Sequence, residues 1–405
     1  MSNSGDMARN GVVPGSSAHR ALIVGAGVGG ISIARGLLRD GHDVTVFERA
    51  SAVRAGGGAV TIWPNGANVL AQLGVDMTGA GRLLSAVYVS TATGRRLAAI
   101  DVTALSARMR APTRMVPRRV LLERLLDGFP LDRIRCDAHA VDVTNTPGGV
   151  RVDFADGTSA EGDLLIGADG QRSTVRAAMG APEATSTGWC SWQGLVELPE
   201  IADSDVGVII IDEGGNLGLW PAGDGSLQWW FDLPWTPDFV HPDSPIDAIR
   251  SHFTGWSHPV DRVLARLTDD DLSMSPFPHF RHPIPREWGR GRFTLLGDAA
   301  HTMPPTLAQG TNQALLDTMV LRRALASART VPEALSWYGR TRRRKVAAVS
   351  WVTSLQVSHG ESAMKPAALL PPGFATSALT SFLRATSHSR MSAEATEKFS
   401  PIDTR

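Results

Sequence analysis

Residues 21–27 (ALIVGAG) form a short apolar run that breaks into glycines, and Ile33, Leu37 and Leu38 follow at helical spacing until Gly41. The pattern predicts a strand, a tight turn and a glycine-terminated helix. The alternating run 43–48 (DVTVFE) predicts a second strand, so residues 21–48 make one strand–helix–strand unit with a right-handed parallel crossover. Residues 63–74 (WPNGANVLAQLG) predict a helix ending at Gly74, and 120–126 (VLLERLL) an amphipathic helix leading to short strands around Val141, Val143, Val150 and Val152. From about 180 to 290 the texture changes to strand-like pieces broken by Pro and Gly, a separate sheet-containing lobe. It holds eight of the eleven tryptophans: Trp189, Trp192, Trp220, Trp229, Trp230, Trp235, Trp256 and Trp288. Residues 292–301 (RFTLLGDAAH) return to the strand-then-glycine texture, and helices are expected from Thr311 to about Leu355. The first lobe is therefore discontinuous. Beyond His359 the chain is rich in Ser, Ala and Pro, with one short helix expected near 378–383.

At 43% hydrophobic and 20% charged residues, the 405-residue chain reads as an ordinary soluble globular protein. Forty basic residues balance forty acidic ones, which removes the electrostatic footprint of a nucleic-acid binder or of a protein held on anionic lipid. Cys136 and Cys190 are too few for a disulfide framework or a cysteine zinc site and suit a reducing compartment, so a cytoplasmic location is expected. The first 18 residues are polar, a disordered leader without an apolar core, and no stretch reaches the ~18 apolar residues of a membrane span. Asp269, Asp270 and Asp271 read as a turn, not a metal site. The basic run 339–345 (GRTRRRK) reads as a solvated helix face.

Gly25, Gly27 and Gly30 stand at G-x-G-x-x-G spacing between strand and helix. Gly25 permits the tight turn, Gly27 lets backbone approach a pyrophosphate, Gly30 lets helix pack on strand, and the helix N-terminus offers free N–H groups to phosphate. Glu48, at the end of the second strand, is placed to accept from a ribose hydroxyl, with Arg49 beside it. These residues predict a bound dinucleotide without choosing between NAD and FAD.

Two later segments, 162–176 (GDLLIGADGQRSTVR) and 297–317 (GDAAHTMPPTLAQGTNQALLD), resemble the second and third signatures of the class A flavoprotein aromatic hydroxylases, in the family's order and at about its separations. The resemblance covers about Ala21 to Leu355. It implies an α/β fold: a discontinuous Rossmann-like FAD-binding domain (19–76, 111–180 and 289–355) and an inserted α+β substrate domain on a mixed sheet (77–110 and 181–288). C-terminal helices and a flexible tail (356–405) complete it. The resemblance implies FAD as cofactor, NADPH or NADH as co-substrate, and transfer of one oxygen atom from O2 to an aromatic or polycyclic small molecule through a flavin C4a-hydroperoxide. Carried over residue by residue, Asp163, Gly167, Asp169, Gly170, Ser173 and Arg176 match the second motif. Gly297 and Asp298 match the third, with Asp298 by the ribityl and pyrophosphate. Pro304 and Pro305 would lie beside the isoalloxazine, Ala308, Gln309 and Gly310 would open a helix whose N–H groups face the flavin's pyrimidine end, and Gly310, Thr311 and Asn312 are expected to bind the cofactor. Arg119 matches an arginine that contacts FAD, with Arg118 as its rival, and Gly57 a glycine-rich loop over the cofactor. His301 reads as a packing or hydrogen-bonding histidine. Three positions depart from the family: Ala308 and Ala59 where glycine is usual, and Gln193 where an arginine is fairly common.

The substrate is expected under the second lobe's sheet, with Trp192, Trp220, Trp229 and Pro304 as its walls, and the missing arginine favours a neutral or bulky polycyclic molecule over a carboxylate. Two alternatives stay open on sequence: a non-catalytic flavin- or ligand-binding homologue, and an epoxidase or Baeyer–Villiger-type oxygenase working through the same chemistry. Residues 229–234 (WWFDLP) come near a flavin halogenase signature, but such enzymes need a lysine in the first lobe, and none precedes Lys345. An always-protonated arginine cannot replace it. Lys345, Lys365 and Lys398 are the only lysines, a skew that fits a GC-rich bacterial genome, where such enzymes tailor secondary metabolites. A monomer or homodimer is expected.

Overall fold

The computed structural model describes residues 18–357 except 213, 273 and 274, together with 371 and 373–387. Residues 1–17 of the expected leader (1–18) and most of the tail (358–370, 372 and 388–405) lie outside the described residues.

Two sheets organise the chain. The first runs Gly289–Arg290, Phe293–Leu295, Leu164–Gly167, Arg20–Val24, Asp43–Phe47, Ile134–Arg135. All neighbours in it are parallel except the edge hairpin Gly289–Arg290/Phe293–Leu295. Its central strands are unbroken apolar runs: Ala21 to Val24 and Leu164 to Ile166 are all buried, as in a parallel sheet covered on both faces. The helices Val28–Arg39 and Gly310–Ser327 pack together in the same core, which also takes in Val143, Val150, Val152 and Phe154 of a three-stranded antiparallel sheet.

The second sheet has seven strands in the order Phe277–Arg281, Thr185–Glu197, Ser226–Pro234, Gly215–Gly223, Val206–Asp212, Ala86–Ser90, Arg96–Asp101. It is mixed, because Val206–Asp212 and Ala86–Ser90 run parallel while the rest is antiparallel. The distant segment 86–101 thus belongs to this sheet. A small sheet of Ala59–Ile62, Arg114–Pro117 and Arg82–Leu83 lies between the two.

Strand alternation gives the second sheet two unlike faces. Trp192, Phe231 and Leu217 stand in one cross-strand row, with Trp229 and Leu219 in the next, and all five share a core with Ile246, Ile249, Phe253, Val260 and Val263 of the helices Pro245–Phe253 and His258–Arg266. The opposite face carries the rows Ser191–Asp232–Asn216, Gln193–Trp230–Gly218 and Leu195–Gln228–Trp220. Gln228 joins this face to the first lobe by accepting the Ala59 N–H. Three tryptophans lie over glycines directly across the ladder: Trp229 on Gly194, Trp230 on Gly218 and Trp220 on Gly207. The missing side chains leave flat beds that indole rings fill.

The expected C-terminal helix is longer than the sequence suggests, Phe374–Thr386. It is tied to the second lobe by the Asp101 N–H to Thr376 Oγ1 (2.9 Å) and by Arg384 Nη2 to the Arg108 carbonyl (2.6 Å). Among the described residues, no helix is long and apolar enough to cross a membrane, and Asp269–Asp271 form a 3-10 turn.

Replacing Gly218 by Ala drives a methyl group into the Trp230 ring. The expected cost is about 1–3 kcal/mol, the range for overpacking, measured as a lower urea midpoint at unchanged slope; an unchanged midpoint would show that Trp230 does not occupy that bed.

Candidate active site

The glycine loop is built by close approach. Gly25 has φ +101°, a conformation that excludes side chains, and donates its N–H to the Phe47 carbonyl at 2.7 Å. A Cβ on Gly25 would overlap Ala168, and one on Gly30 would overlap the Gly25 carbonyl, whereas a Cβ on Gly27 would meet nothing within 4 Å. Gly27 therefore faces open space at the N-terminus of Val28–Arg39, which has no side-chain cap. Glu48 accepts the N–H groups of Ala26 and Ala50, each at 2.9 Å, one on each carboxylate oxygen. A cleft of about 260 Å³ opens here, lined by Gly25, Gly27, Glu48, Arg49, Asp169 and Arg172 among others. His139 also faces it without any motif signal in the sequence, and Arg172 lies within the second motif but is not one of its matched positions. An open backbone cradle at an uncapped helix N-terminus, an adjacent carboxylate with lone pairs to spare and two arginines at the rim fit the pyrophosphate and ribose of FAD.

The second motif locks this cleft to the third. Asp169 accepts from Ser173 Oγ and, at 3.3 Å, from the Val175 N–H, while burial raises its pKa. Ser173 in turn caps the helix Thr174–Ala178. Arg176 is buried and donates to four carbonyls: Pro182 (2.8 Å), Pro283 (2.9 Å), and Ala299 and Ala300 (3.1 Å each). Burial lowers its pKa to about 10. Its partners lie mostly far along the chain, so it is a cross-motif clamp and not a locally paired turn residue.

In the third motif Gly297 takes φ +62°, ψ −137°, a region open essentially to glycine. Its N–H donates to Asp317 Oδ2 at 3.0 Å, and Asp317 also accepts from His301 Nε2 and Arg342 Nε, both at 2.6 Å. Burial pushes the Asp317 pKa up, but His301 and Arg342 outweigh it and hold it below its ordinary value. Arg342 belongs to the basic run expected to be a solvated face; instead it is fully buried, because Asp317 and Gln313 need its guanidinium.

Asp298 is exposed at the start of the short helix Asp298–His301. Pro304 is buried and Pro305 exposed. The helix Gly310–Ser327 begins with no side-chain cap, so the first N–H groups, at Gly310, Thr311 and Asn312, remain available. The Asn312 side chain, however, is fully used inside the protein: Oδ1 accepts the Trp63 N–H (3.0 Å), and Nδ2 donates to the carbonyls of Thr61 (2.9 Å) and Ala308 (2.8 Å). Trp63 Nε1 donates to the Leu307 carbonyl at 3.1 Å. Together they pin the 303–309 loop against the strand Ala59–Ile62. Gly57 faces open space, and its neighbour Gly58, at φ +84°, packs against Gln228.

Three expectations need correction. Arg119 points outward and pairs with Glu123 one helical turn on, its side chain 73% exposed. Arg118 is solvent-accessible yet partly desolvated by the protein around it, which lowers its pKa, while Asp298 draws it back up. Trp192 and Trp229 sit in the helix-covered core, because strand alternation turns both away from the first lobe. On the face toward the first lobe stand Trp220, which was expected, and Trp230, Gln193 and Gln228, which were not.

Ala308 is left-handed at φ +49°, which explains why glycine is usual there. Ala308→Gly should relieve a strain of about 1 kcal/mol and raise the urea midpoint; a lower midpoint would contradict this loop conformation.

The FAD binding domain family model matches residues 19–352. The FAD-dependent urate hydroxylase of Klebsiella pneumoniae is 31% identical over 79% of this chain and 84% of its own length. The aurachin C monooxygenase/isomerase of Stigmatella aurantiaca is 33% identical over 78% and 83%. The solved structure of Klebsiella pneumoniae HpxO with FAD and uric acid superposes with a TM-score of 0.79 at 27% identity, covering 93% of this chain and 96% of that one. With the dinucleotide cradle and both later motifs in place, the chain belongs to the FAD-binding flavoprotein aromatic hydroxylases and is an FAD-dependent monooxygenase.

Proposed function

We propose that this enzyme uses NAD(P)H and O2 to place one oxygen atom on a neutral aromatic or polycyclic small molecule held between the 303–309 loop and the face of the second sheet that is turned toward the first lobe. One observation carries the choice of a neutral substrate: that face presents Ser191, Gln193, Leu195, Asn216, Trp220, Gln228, Trp230 and Asp232, with no arginine or lysine among them. A carboxylated ring, such as the one named for the 3-amino-4-hydroxybenzoate 2-monooxygenase of Streptomyces cremeus (32% identical over 82% of this chain), would find no cation there and would meet Asp232.

Bound FAD supplies electron transfer from the nicotinamide and the activation of oxygen. The chain's own residues position and seal. Gly25, Gly27 and Glu48 would hold the nucleotide end, with Arg49 and Arg172 at the rim. Arg118, near enough to Asp298 to feel its charge, would neutralise phosphate charge. The uncapped N-terminus of Gly310–Ser327 would stabilise negative charge developing on the ring system. Trp230, half-buried and 6.0 Å from the buried Trp220, would give the substrate an apolar wall that excludes water.

NAD(P)H oxidation by the FAD-loaded protein under air should be stimulated by neutral phenols or polycyclic aromatics, with a product heavier by one oxygen, and at least about tenfold less by the corresponding benzoates, which leave a buried charge unpaired. Absence of any oxygenated product, or a preference for benzoates, would sink this reading. Product structure separates hydroxylation from epoxidation or ring expansion, which add the same mass. Arg118→Ala should weaken FAD binding to the apoprotein by about tenfold or more, the loss of a charge-assisted contact, while Arg119→Ala should leave it unchanged; fluorescence titration decides between them.

A further inference from the structure

The second sheet carries one polar cluster that neither the cofactor site nor the fold accounts for. Ser191 Oγ donates to Asp232 Oδ1 and lies 2.6 Å from His279 Nε2. All three residues are buried. The Ser191 proton is spent on the carboxylate, so His279 must donate its Nε2–H to Ser191 Oγ, which leaves Nδ1 as the bare nitrogen; Nδ1 indeed has no partner. Burial holds His279 neutral, its pKa lowered to about 4. The result is a one-way chain of donors, His279 to Ser191 to Asp232, that ends on a carboxyl group.

That carboxyl is otherwise unserved. Among the described residues no arginine or lysine pairs with it, and Oδ2 makes no hydrogen bond while not being sealed from solvent. Directly across the ladder, Asn216 carries a buried Oδ1 that also lacks a donor. This end of the sheet therefore has an excess of acceptors. A buried carboxyl group with no cation and a single donor is costly and is not needed to join two strands already paired by their backbones.

The cluster is within substrate reach of the cofactor loop. It stands on the sheet face that looks toward the first lobe, one row from Gln193 and Trp230. Three residues beyond His279, about 10 Å along the strand, His282 is docked on Thr302, its N–H on the Thr302 carbonyl at 2.9 Å and its Nδ1 accepting the Thr302 N–H at 3.2 Å. Thr302 precedes the Met303–Pro304–Pro305 turn.

Resting on the monooxygenase function proposed above, we infer that Asp232 accepts the proton of a ring hydroxyl or ring N–H of the substrate, with Ser191 and His279 as positioning residues. The O–H (or N–H) bond of the substrate breaks, its electron pair stays on the ring and enriches the carbon to be oxygenated, and the proton forms a bond to Asp232 Oδ2. O2, NAD(P)H and one proton still yield the oxygenated ring, water and NAD(P)+. On product release the proton held by Asp232 returns to the ring heteroatom, so the carboxylate is restored. The substrate class is thereby narrowed to neutral rings with an acidic donor.

The test compares 2-naphthol with 2-methoxynaphthalene binding to the oxidised FAD holoenzyme, read by perturbation of the flavin absorbance from about pH 5.5 to about pH 8.5. Burial raises Asp232 to about 7, so its carboxylate, the accepting form, is populated above that value and lost as pH falls through it. Naphthol should bind about tenfold more tightly than its ether at the alkaline end, and the preference should vanish on the acid side. Asp232→Asn should abolish the preference at every pH while keeping FAD stoichiometry. Ser191→Ala, which leaves the carboxyl in place but removes its one donor, should move the midpoint upward, and it serves if the Asn variant fails to fold. A preference that survives in Asp232→Asn, or a midpoint unmoved in Ser191→Ala, overturns the assignment, as does failure of the holoenzyme to bind either naphthalene. The monooxygenase function is judged separately by NAD(P)H-driven oxygenation, so the two failures are distinguishable.

Discussion

A single buried carboxylate, Asp317, underlies the flavin side of this molecule. It accepts from the Gly297 backbone, His301 and Arg342, and so joins the third motif, the helix Gly310–Ser327 and the helix Val331–Val357 at one point. Burying a carboxylate is tolerable only when charge and hydrogen bonds compensate it. Here two basic side chains and an N–H do so, and the compensation has a structural return: Gly297 is held at a backbone angle that turns the chain sharply out of its strand, which brings Asp298 to the cofactor channel. Arg176 acts on the same turn from the other side, collecting the carbonyls that the short helix Asp298–His301 leaves unpaired. The cofactor loop is thus set by two charged groups that never touch its open surface.

This arrangement explains why the nucleotide side was legible from sequence and the substrate side only in part. Gly25, Gly30 and Gly297 owe their identity to backbone approach and to positive φ, local constraints that leave a fixed spacing in the chain. Ala308 is the informative exception: the left-handed turn persists without the glycine that would announce it. Arg118 and Arg119 show the limit of spacing. Adjacent residues on a helix lie about 100° apart, so a one-residue uncertainty in alignment exchanges a cation that feels Asp298 for one paired with Glu123.

The tryptophans fail for a related reason. Eight of them mark the second lobe, but in a strand the face is decided by parity, and nothing in a Gly- and Pro-broken texture fixes the register. Trp229 and Trp230 are neighbours, yet one fills the core under the helices and the other lies on the opposite face over Gly218. Arg342 was misread by composition in the same way: a basic run looks solvated until a buried acid elsewhere in the chain claims one member.

The two lobes differ in how they treat charge. On the flavin side Asp317 is matched by Arg342 and His301, and Arg176 by four carbonyls. On the sheet facing it Asp232 has only a hydroxyl, backed by a neutral histidine. A fold able to compensate Asp317 so completely had cations to spare, since thirty-seven of its forty basic residues are arginines whose charge burial scarcely removes. Among the described residues none pairs with Asp232, which leaves its carboxyl free to change protonation state, as a salt-bridged carboxylate cannot do near neutral pH. An acid without a cation on the substrate side and a carboxylate paired with Arg342 and His301 beneath the cofactor are the division of labour expected where the cofactor must be held still and a proton must move.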